Sequence, residues 1–393
     1  MRKGQVIHGY RVMQDFSTAG SGLSKWTYAE KGGQTYFLKE FLSPTYPVDG
    51  APGSAEIKAR KKQDCEAFEK RMHGLISAVN GTALAGGNLI TAQELFREGA
   101  KYYKATAWVN IAPLAVPDVA GLPLSKRLLI LLTIAHSLRI LHAANIVHGD
   151  LRPENVLLKQ TITGDYAAKL IDFDSSYFSG DPPPRQELVG DPIYYAPEVG
   201  RYVEAADGAD ALLLTTQSDI FSLGLMYSQY LTGQMPSFSR EKYRYPYVAA
   251  GNGGRLKLYR DGLPPGLSKL LRTMLSPDPG RRPDIHKVFV RLKDPAILDA
   301  KGDTVSEEGK PLAEEMKPSA PVKTAKKETS PAKSGGRKIK GTLAREDGVD
   351  ELPLAVELSP PAELSPVVET PAGEGRPSKL KGTLVAHRDE GEH

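Results

Sequence analysis

Glycines, a lysine, an asparagine and several aspartates follow one another along this chain at spacings that suit a reaction site. The glycine pair in Gly20-Ser21-Gly22 lets backbone N–H groups come close to phosphate oxygens, because no Cβ stands in the way. Lys39, at the end of the run Tyr36-Phe37-Leu38, offers a cation for those phosphates. Further on, Val147-His148-Gly149-Asp150-Leu151-Arg152-Pro153-Glu154-Asn155 contains a carboxylate and an amide, and Leu170-Ile171-Asp172-Phe173-Asp174 adds two more carboxylates. Such Asp and Asn side chains on successive turns supply the hard oxygen ligands that Mg²⁺ prefers. A further carboxylate is needed to orient an attacking hydroxyl. Each string alone is no more than a polar turn. In this order they point to phosphoryl transfer.

The elements that must position them divide the chain in two. Tyr-Arg-Val-Met-Gln-Asp-Phe from Tyr10, and the run from Trp26 to Phe41 broken at Gly32-Gly33, read as a series of antiparallel strands. A Pro/Gly-rich loop then leads to a helix whose Phe68, Met72, Leu75, Ile76 and Val79 share one face at 3.6-residue spacing. Two more strands follow, in 88–96 and 101–109. The remainder is largely helical, with apolar helices predicted over 126–144, 218–233 and 266–275. The expected fold class is α+β: a β-rich N-lobe over about 1–110 and a helical C-lobe over about 111–295.

Composition sets the outer limits. The 393 residues are 40% hydrophobic, enough for a real core, and the net charge of +4 is spread along the chain. That dispersed excess argues against a nucleic-acid partner, which calls for a concentrated basic face. Cys65 is the single cysteine, so no intrachain disulfide or cysteine-rich metal site can form. The helical stretch around it marks it as a small packing residue. No stretch has the apolar core of a leader peptide or of a membrane span, so a soluble, cytoplasmic protein without membrane association is expected. Beyond Phe289 there is no aromatic residue, and 296–393 is rich in Pro, Glu, Lys, Ser and Thr. Such a segment buries too little apolar area to offset chain entropy and is expected to be disordered.

From about residue 10 to 293 the chain resembles the eukaryotic-type (Hanks-type) protein kinases, and its compactness is similar to that of bacterial members. His148 to Asn155 resembles their H-R-D-L-K-P-E-N catalytic loop, and Asp172-Phe173-Asp174 resembles D-F-G. Tyr195-Ala196-Pro197-Glu198 resembles the A-P-E string, and Ser218-Asp219-Ile220-Phe221-Ser222-Leu223-Gly224 the helix beneath the catalytic loop. Tyr36-Phe37-Leu38-Lys39 resembles V-A-I-K. The resemblance implies ATP and Mg²⁺, with Asp150 accepting the substrate hydroxyl proton and Asn155 and Asp172 binding metal. It further implies that Lys39 grips the α- and β-phosphates, paired with Glu69 of the helix or, as the alternative, Glu66. Gly20 and Gly22 match the first two glycines of the phosphate loop, whose third position is Lys25. Thr106 falls at the gatekeeper position and Ala107-Trp108-Val109 at the adenine hinge. Asp219 is implied to fix the backbone around His148, and Glu198 to pair with Arg282.

Three departures stand out. Gly149 replaces the arginine that receives an activation-loop phosphate in the family, so activity without loop phosphorylation is expected. Arg152 and Asp191 replace a lysine and a threonine that meet across the site, and an arginine fork suits a carboxylate, so an Arg152–Asp191 ion pair is expected. Asp174 stands where D-F-G has glycine, narrowing backbone freedom there. The expected activity is transfer of the γ-phosphoryl group to Ser/Thr hydroxyls of protein substrates, with autophosphorylation. Two competitors remain at this point: a small-molecule phosphotransferase of the aminoglycoside/choline kinase type, sharing H-G-D-L-x-x-x-N, and a pseudokinase scaffold. In the tail, Lys338-Ile339-Lys340-Gly341-Thr342-Leu343 recurs as Lys379-Leu380-Lys381-Gly382-Thr383-Leu384. Thr342 and Thr383 are thereby candidate phosphosites, and a phosphothreonine there would suit a forkhead-associated partner.

Overall fold

Alternation of side chains between two faces organises the first hundred residues. In this computed structural model residues 2–298 are described, apart from 19–23, 84–87, 113, 205–210 and 260–262. The chain divides into a unit from Met1 to Glu328 and a second from Thr329 to His393. The second lies wholly outside the described residues, as do Thr342 and Thr383 and almost all of the predicted tail.

Strands β1 (Val6–Ile7), β2 (Tyr10–Val12), β3 (Ser24–Lys31) and β4 (Gln34–Phe41) precede helix α1 (Ala55–Ala83), and β5 (Ala92–Glu98) and β6 (Lys101–Ala107) follow it. All six form one antiparallel sheet in the order β1-β2-β3-β4-β6-β5. The β3–β4 hairpin closes at Gly32-Gly33, whose φ of 59° and 75° meet the demand of a two-residue turn for left-handed backbone at both positions. One face of the sheet carries Ala29, Tyr36, Leu38, Tyr103 and Ala105 into a small core with Ile7 and Tyr10. The opposite face carries Trp26, Phe37, Lys39, Phe41, Tyr102, Lys104 and Thr106, as the pairings Trp26↔Lys39, Lys39↔Lys104 and Phe37↔Thr106 require. Trp26 stacks on Phe37 with ring centroids 5.4 Å apart.

Helix α1 covers part of that second face. Its Cys65, Phe68, Met72, Leu75 and Val79 are buried, following the spacing predicted from sequence, and Cys65 packs with Phe41, Phe68, Met72 and Tyr102. The strand expected over 88–96 begins later, at Ala92. Leu89 and Ile90 instead lie along the C-lobe, where Ile90 N donates to Leu170 O at 2.9 Å.

The C-lobe is built round α3 (Leu124–Ala143), which follows the short α2 (Val116–Gly121). Ile130, Leu131, Ile134, Ala135, Leu138 and Leu141 of α3 are all shielded from solvent. Each buried Leu or Ile among them stabilises the fold by about 1.5–3 kcal/mol relative to exposure. Two short antiparallel pairs then carry the chemistry: β7 (Ile146–Val147) with β10 (Tyr177–Phe178), and β8 (Val156–Gln160) with β9 (Tyr166–Leu170). Helices α4 (Pro197–Glu204), α5 (Thr216–Thr232), α6 (Pro246–Gly251), α7 (Pro265–Met274) and α8 (Ile285–Lys293) complete the lobe. Thr215 caps α5, its hydroxyl accepting from Gln217 N, and Gly233 ends that helix at φ 74°. The predicted β-rich N-lobe and helical C-lobe are both present. Among the described residues no helix is long and apolar enough to cross a membrane.

Candidate active site

The loop between β7 and β8 holds Asp150 and Asn155 in one hydrogen-bonded unit. Asn155 closes a single 3₁₀ turn, Pro153–Asn155. Its Nδ2 donates to the Asp150 carbonyl at 2.8 Å and to Asp150 Oδ2 at 2.9 Å. Asp191 N donates to the other carboxylate oxygen, Asp150 Oδ1, at 3.1 Å. Arg152 Nη1 lies 3.1 Å from Asp191 Oδ2, so the ion pair expected from sequence is formed, and Arg152 Nε also reaches Glu154 at 2.8 Å. Burial pushes the Asp150 carboxyl above the ordinary carboxylate range, partly opposed by the Asp191 N–H, His148, Arg152 and Asn155.

Beneath this loop, Asp219 at the start of α5 accepts from His148 N at 2.7 Å and Gly149 N at 3.1 Å. His142 Nε2 lies 2.9 Å from the same carboxylate. Sequence reasoning found Asp219 but missed His142, whose only signal is its place in the last turn of α3. His148 Nε2 lies 3.1 Å from the Ile171 carbonyl, linking the loop that holds Asp150 and Asn155 to the segment carrying Asp172.

Asp172 itself stands at φ 60° and ψ 74°, a left-handed conformation rare outside glycine and costly by about 1–3 kcal/mol. There its oxygens lie 2.9 and 3.1 Å from Lys39 Nζ. Burial alone would raise the Asp172 pKa, but Lys104 and Lys39 hold it well below the ordinary carboxylate range. Burial alone would likewise lower that of Lys39, but Asp174 and Asp172 raise it above the ordinary lysine value.

Lys39 meets neither of the α1 glutamates expected from the sequence. Glu69 accepts from Tyr102 Oη at 2.6 Å, and Glu66 lies on the exposed side of α1, 3.9 Å from Lys62. The acids that meet Lys39 are Asp172 and Asp174, at 2.9 and 2.8 Å. The reason is the phase of the helix. Glu69 comes level with Tyr102, which pairs with Phe41, while one turn further the helix presents Met72 to the cleft that Lys104, the cross-strand partner of Lys39, also lines. Lys104 was missed as well, and it is buried and paired with Asp174. The signal was a lysine within the otherwise uncharged run Tyr102 to Val109, together with an aspartate in place of a glycine.

Thr106 lines the same cleft as Lys104, Asp172 and Phe173. Ala107 closes β6 opposite Tyr36, and the chain leaves the sheet at Trp108, whose N–H donates to Thr35 O at 3.0 Å and whose side chain is exposed. Val109 follows in irregular backbone. Gly20 and Gly22 lie outside the described residues.

Gly149 adopts φ 80°, and a Cβ there would lie 2.3 Å from the Ser175 carbonyl oxygen. The segment after Asp172 therefore crosses the 148–155 loop where a side chain cannot fit, which excludes the arginine that the family resemblance would place at 149. Ser176 reinforces the crossing, its hydroxyl donating to the His148 carbonyl at 3.0 Å. Gly149→Ala is expected to lower the thermal midpoint and to cost more than about 1 kcal/mol, combining left-handed strain with this clash. Urea unfolding measures it, and wild-type stability would contradict the close approach.

At the far end of this segment Glu198 and Arg282 form a two-pronged pair at 2.7 and 2.8 Å, both side chains fully buried. Ser218 Oγ donates to Glu198, and Arg282 also donates to the carbonyls of Ser276 and Gln217. The pair ties α4 and α5 to the turn before α8.

Comparison with known proteins agrees with this arrangement. The family described as "Protein kinase domain" matches residues 59–291. The chain is 32% identical over 200 residues to the ovarian-specific serine/threonine-protein kinase Lok of Drosophila melanogaster, covering 49% of this chain and 40% of that one. It is 31% identical over 166 residues to serine/threonine-protein kinase PAK 4 of Homo sapiens, covering 42% and 23%. To the calcium and calcium/calmodulin-dependent serine/threonine-protein kinase DMI-3 of Medicago truncatula it is 30% identical over 173 residues, covering 44% and 31%. The chain thus spans less than half the length of each of these three relatives. With the two-lobed fold and the match over 59–291, the chain belongs to the protein kinase family of the Hanks type.

Proposed function

We propose that this protein transfers the γ-phosphoryl group of ATP to serine or threonine hydroxyls of protein substrates. The observation that carries the reading is the convergence on one cleft of a buried cation, Lys39, with Asp172, beside a loop that pairs Asp150 with Asn155. In this reading Lys39 binds the α- and β-phosphates, and Thr106 with Ala107-Trp108-Val109 borders the adenine. Asp150 orients the attacking hydroxyl and takes its proton. Arg152, tied to Asp191, keeps that loop and the substrate platform in register. Asn155 and Asp172 are oxygen donors of the kind Mg²⁺ prefers: the Asn155 amide nitrogen is committed to Asp150, which leaves its oxygen unspent, and the Asp172 carboxylate is held ionised by Lys104 and Lys39. When bound, that ion would neutralise charge developing on the phosphoryl oxygens.

The buried Glu198–Arg282 pair favours a protein substrate over a small molecule, since it fixes the A-P-E segment that forms a peptide platform in this family. Incubation with radiolabelled ATP should therefore label a generic protein such as myelin basic protein and leave an aminoglycoside unlabelled. The opposite preference would overturn the assignment. A protein that bound Mg-ATP without transferring phosphate to either would be a scaffold.

Activity is proposed to be independent of activation-segment phosphorylation. Position 149 has no guanidinium to receive a phosphate, and the Ser176 hydroxyl is buried against the His148 carbonyl. Treatment with a phosphatase, followed by its removal, should leave turnover within about twofold, against the 10²–10⁴-fold that loss of a working base would cost. A collapse in rate would show that a phosphate is needed. Autophosphorylation at Thr342 and Thr383, and capture of the phosphorylated tail by a forkhead-associated domain, remain proposals that mass spectrometry after incubation with ATP tests directly.

A further inference from the structure

In the cleft two lysines face two aspartates. Lys39 and Lys104 stand directly opposite each other on adjacent antiparallel strands and project from the same face. Two like charges in that relation repel unless something neutralises them. The neutralising groups are Asp172, within 2.9 Å of Lys39 and 3.4 Å of Lys104, and Asp174, 2.8 Å from Lys39 and in closest contact with Lys104. All four groups are largely withdrawn from solvent, with side-chain exposures of 12% and 8% for the lysines and 34% and 15% for the aspartates. The set is electrically balanced, two against two. Neither candidate helix acid takes part, since Glu69 is bonded to Tyr102 and Glu66 lies near Lys62. What α1 contributes to this cleft is Met72, Leu75, Ile76, Val79 and Asn80, none of them an acid.

We propose that Asp174, and not a glutamate of α1, is the carboxylate that positions Lys39 for nucleotide, with Lys104 as its counter-cation. Asp174 is thus a positioning residue acting through Lys39, and the ion pair has moved from the helix to the segment that also carries Asp172. Glycine at position 174 would leave Lys104 buried without its closest partner, and leucine or methionine at position 104 would leave Asp174 with a single lysine. Burying a charge whose partner has been removed is costly, so the two residues stand or fall together.

This inference rests on the kinase reading for its activity test but not for its stability test. Asp174→Asn and Lys104→Met, singly and together, are compared with wild type, Asp174→Glu and Glu69→Gln. The readouts are kcat and KM for ATP with a generic protein substrate, and thermal midpoints. Asp174→Asn is expected to lower kcat/KM for ATP by about tenfold or more, as expected for a lost contact to a charged group. Asp174→Glu should restore part of it, and Glu69→Gln should remain within about twofold of wild type. The double variant should be less impaired than the product of the two single effects by at least about threefold, the mark of residues in contact. A loss from Glu69→Gln as large as that from Asp174→Asn, or strictly multiplicative effects at 174 and 104, would overturn the proposal. If the wild type transfers no phosphate, the function proposed above fails, and the melting cycle alone decides the pairing: coupled midpoints uphold it and additive ones reject it.

Discussion

Asp150→Asn is expected to abolish most turnover, lowering kcat by about 10²–10⁴-fold, without loss of fold. Asparagine has nearly the shape of aspartate and can still accept from Asn155 Nδ2 or Asp191 N, the two donors that hold the native carboxylate. What it lacks is a site for the hydroxyl proton. Stability should move in the opposite direction. Burial disfavours the ionised Asp150, its pKa being raised above the ordinary value, so a neutral replacement relieves part of a desolvation cost. The melting midpoint should therefore stay level or rise while the rate collapses. Initial rates with radiolabelled ATP beside a thermal melt give both quantities. An Asp150→Asn protein with wild-type turnover would remove the base from the mechanism.

The second large effect falls on stability. Glu198→Ala leaves the Arg282 guanidinium buried with its carboxylate gone, and Ser218 loses its acceptor. Breaking a buried pair by removing one partner costs about 3–5 kcal/mol. At roughly 2–4 °C per kcal/mol for a domain of somewhat smaller size, the midpoint should fall by on the order of 10 °C. Replacing both residues, Glu198→Leu with Arg282→Met, should cost less than Glu198→Ala alone, because no buried charge is stranded. Calorimetry of the two variants decides this. A single variant as stable as wild type would mean that water reaches the guanidinium.

Most of the chemistry was legible because its residues are contiguous. Asp150, Arg152 and Asn155 are held together by a single short loop, so the string alone encodes their proximity, and Asp172 follows one hairpin later. The α1 face was legible for a similar reason, since 3.6-residue spacing is a property of one element. The failures came where two elements meet. Whether Glu69 or Met72 stands level with Lys39 depends on how far α1 slides along the sheet, a displacement of a single helical turn that periodicity leaves open. Lys104 was hidden because its meaning depends on strand register: only the pairing of β4 with β6 sets it opposite Lys39. The short β7–β10 pair went unpredicted because two-residue strands have no period to read. Gly149 reads in the sequence as a lost arginine; the Ser175 carbonyl lying against it, a contact made only in the fold, is what requires glycine there.

Both tryptophans of the chain, Trp26 and Trp108, fall in the N-lobe. Trp26 sits cross-strand from Lys39 on the same face, and Trp108 marks the exit from β6. Ultraviolet emission excited at 295 nm therefore arises from the roof and back edge of the cleft and from nowhere in the C-lobe. Such a native optical probe offers a label-free test of the nucleotide binding proposed above. Set against far-ultraviolet dichroism, to which the C-lobe helices α2–α8 contribute most but α1 of the N-lobe also contributes, an emission change that precedes the main loss of ellipticity would show the lobes melting in sequence.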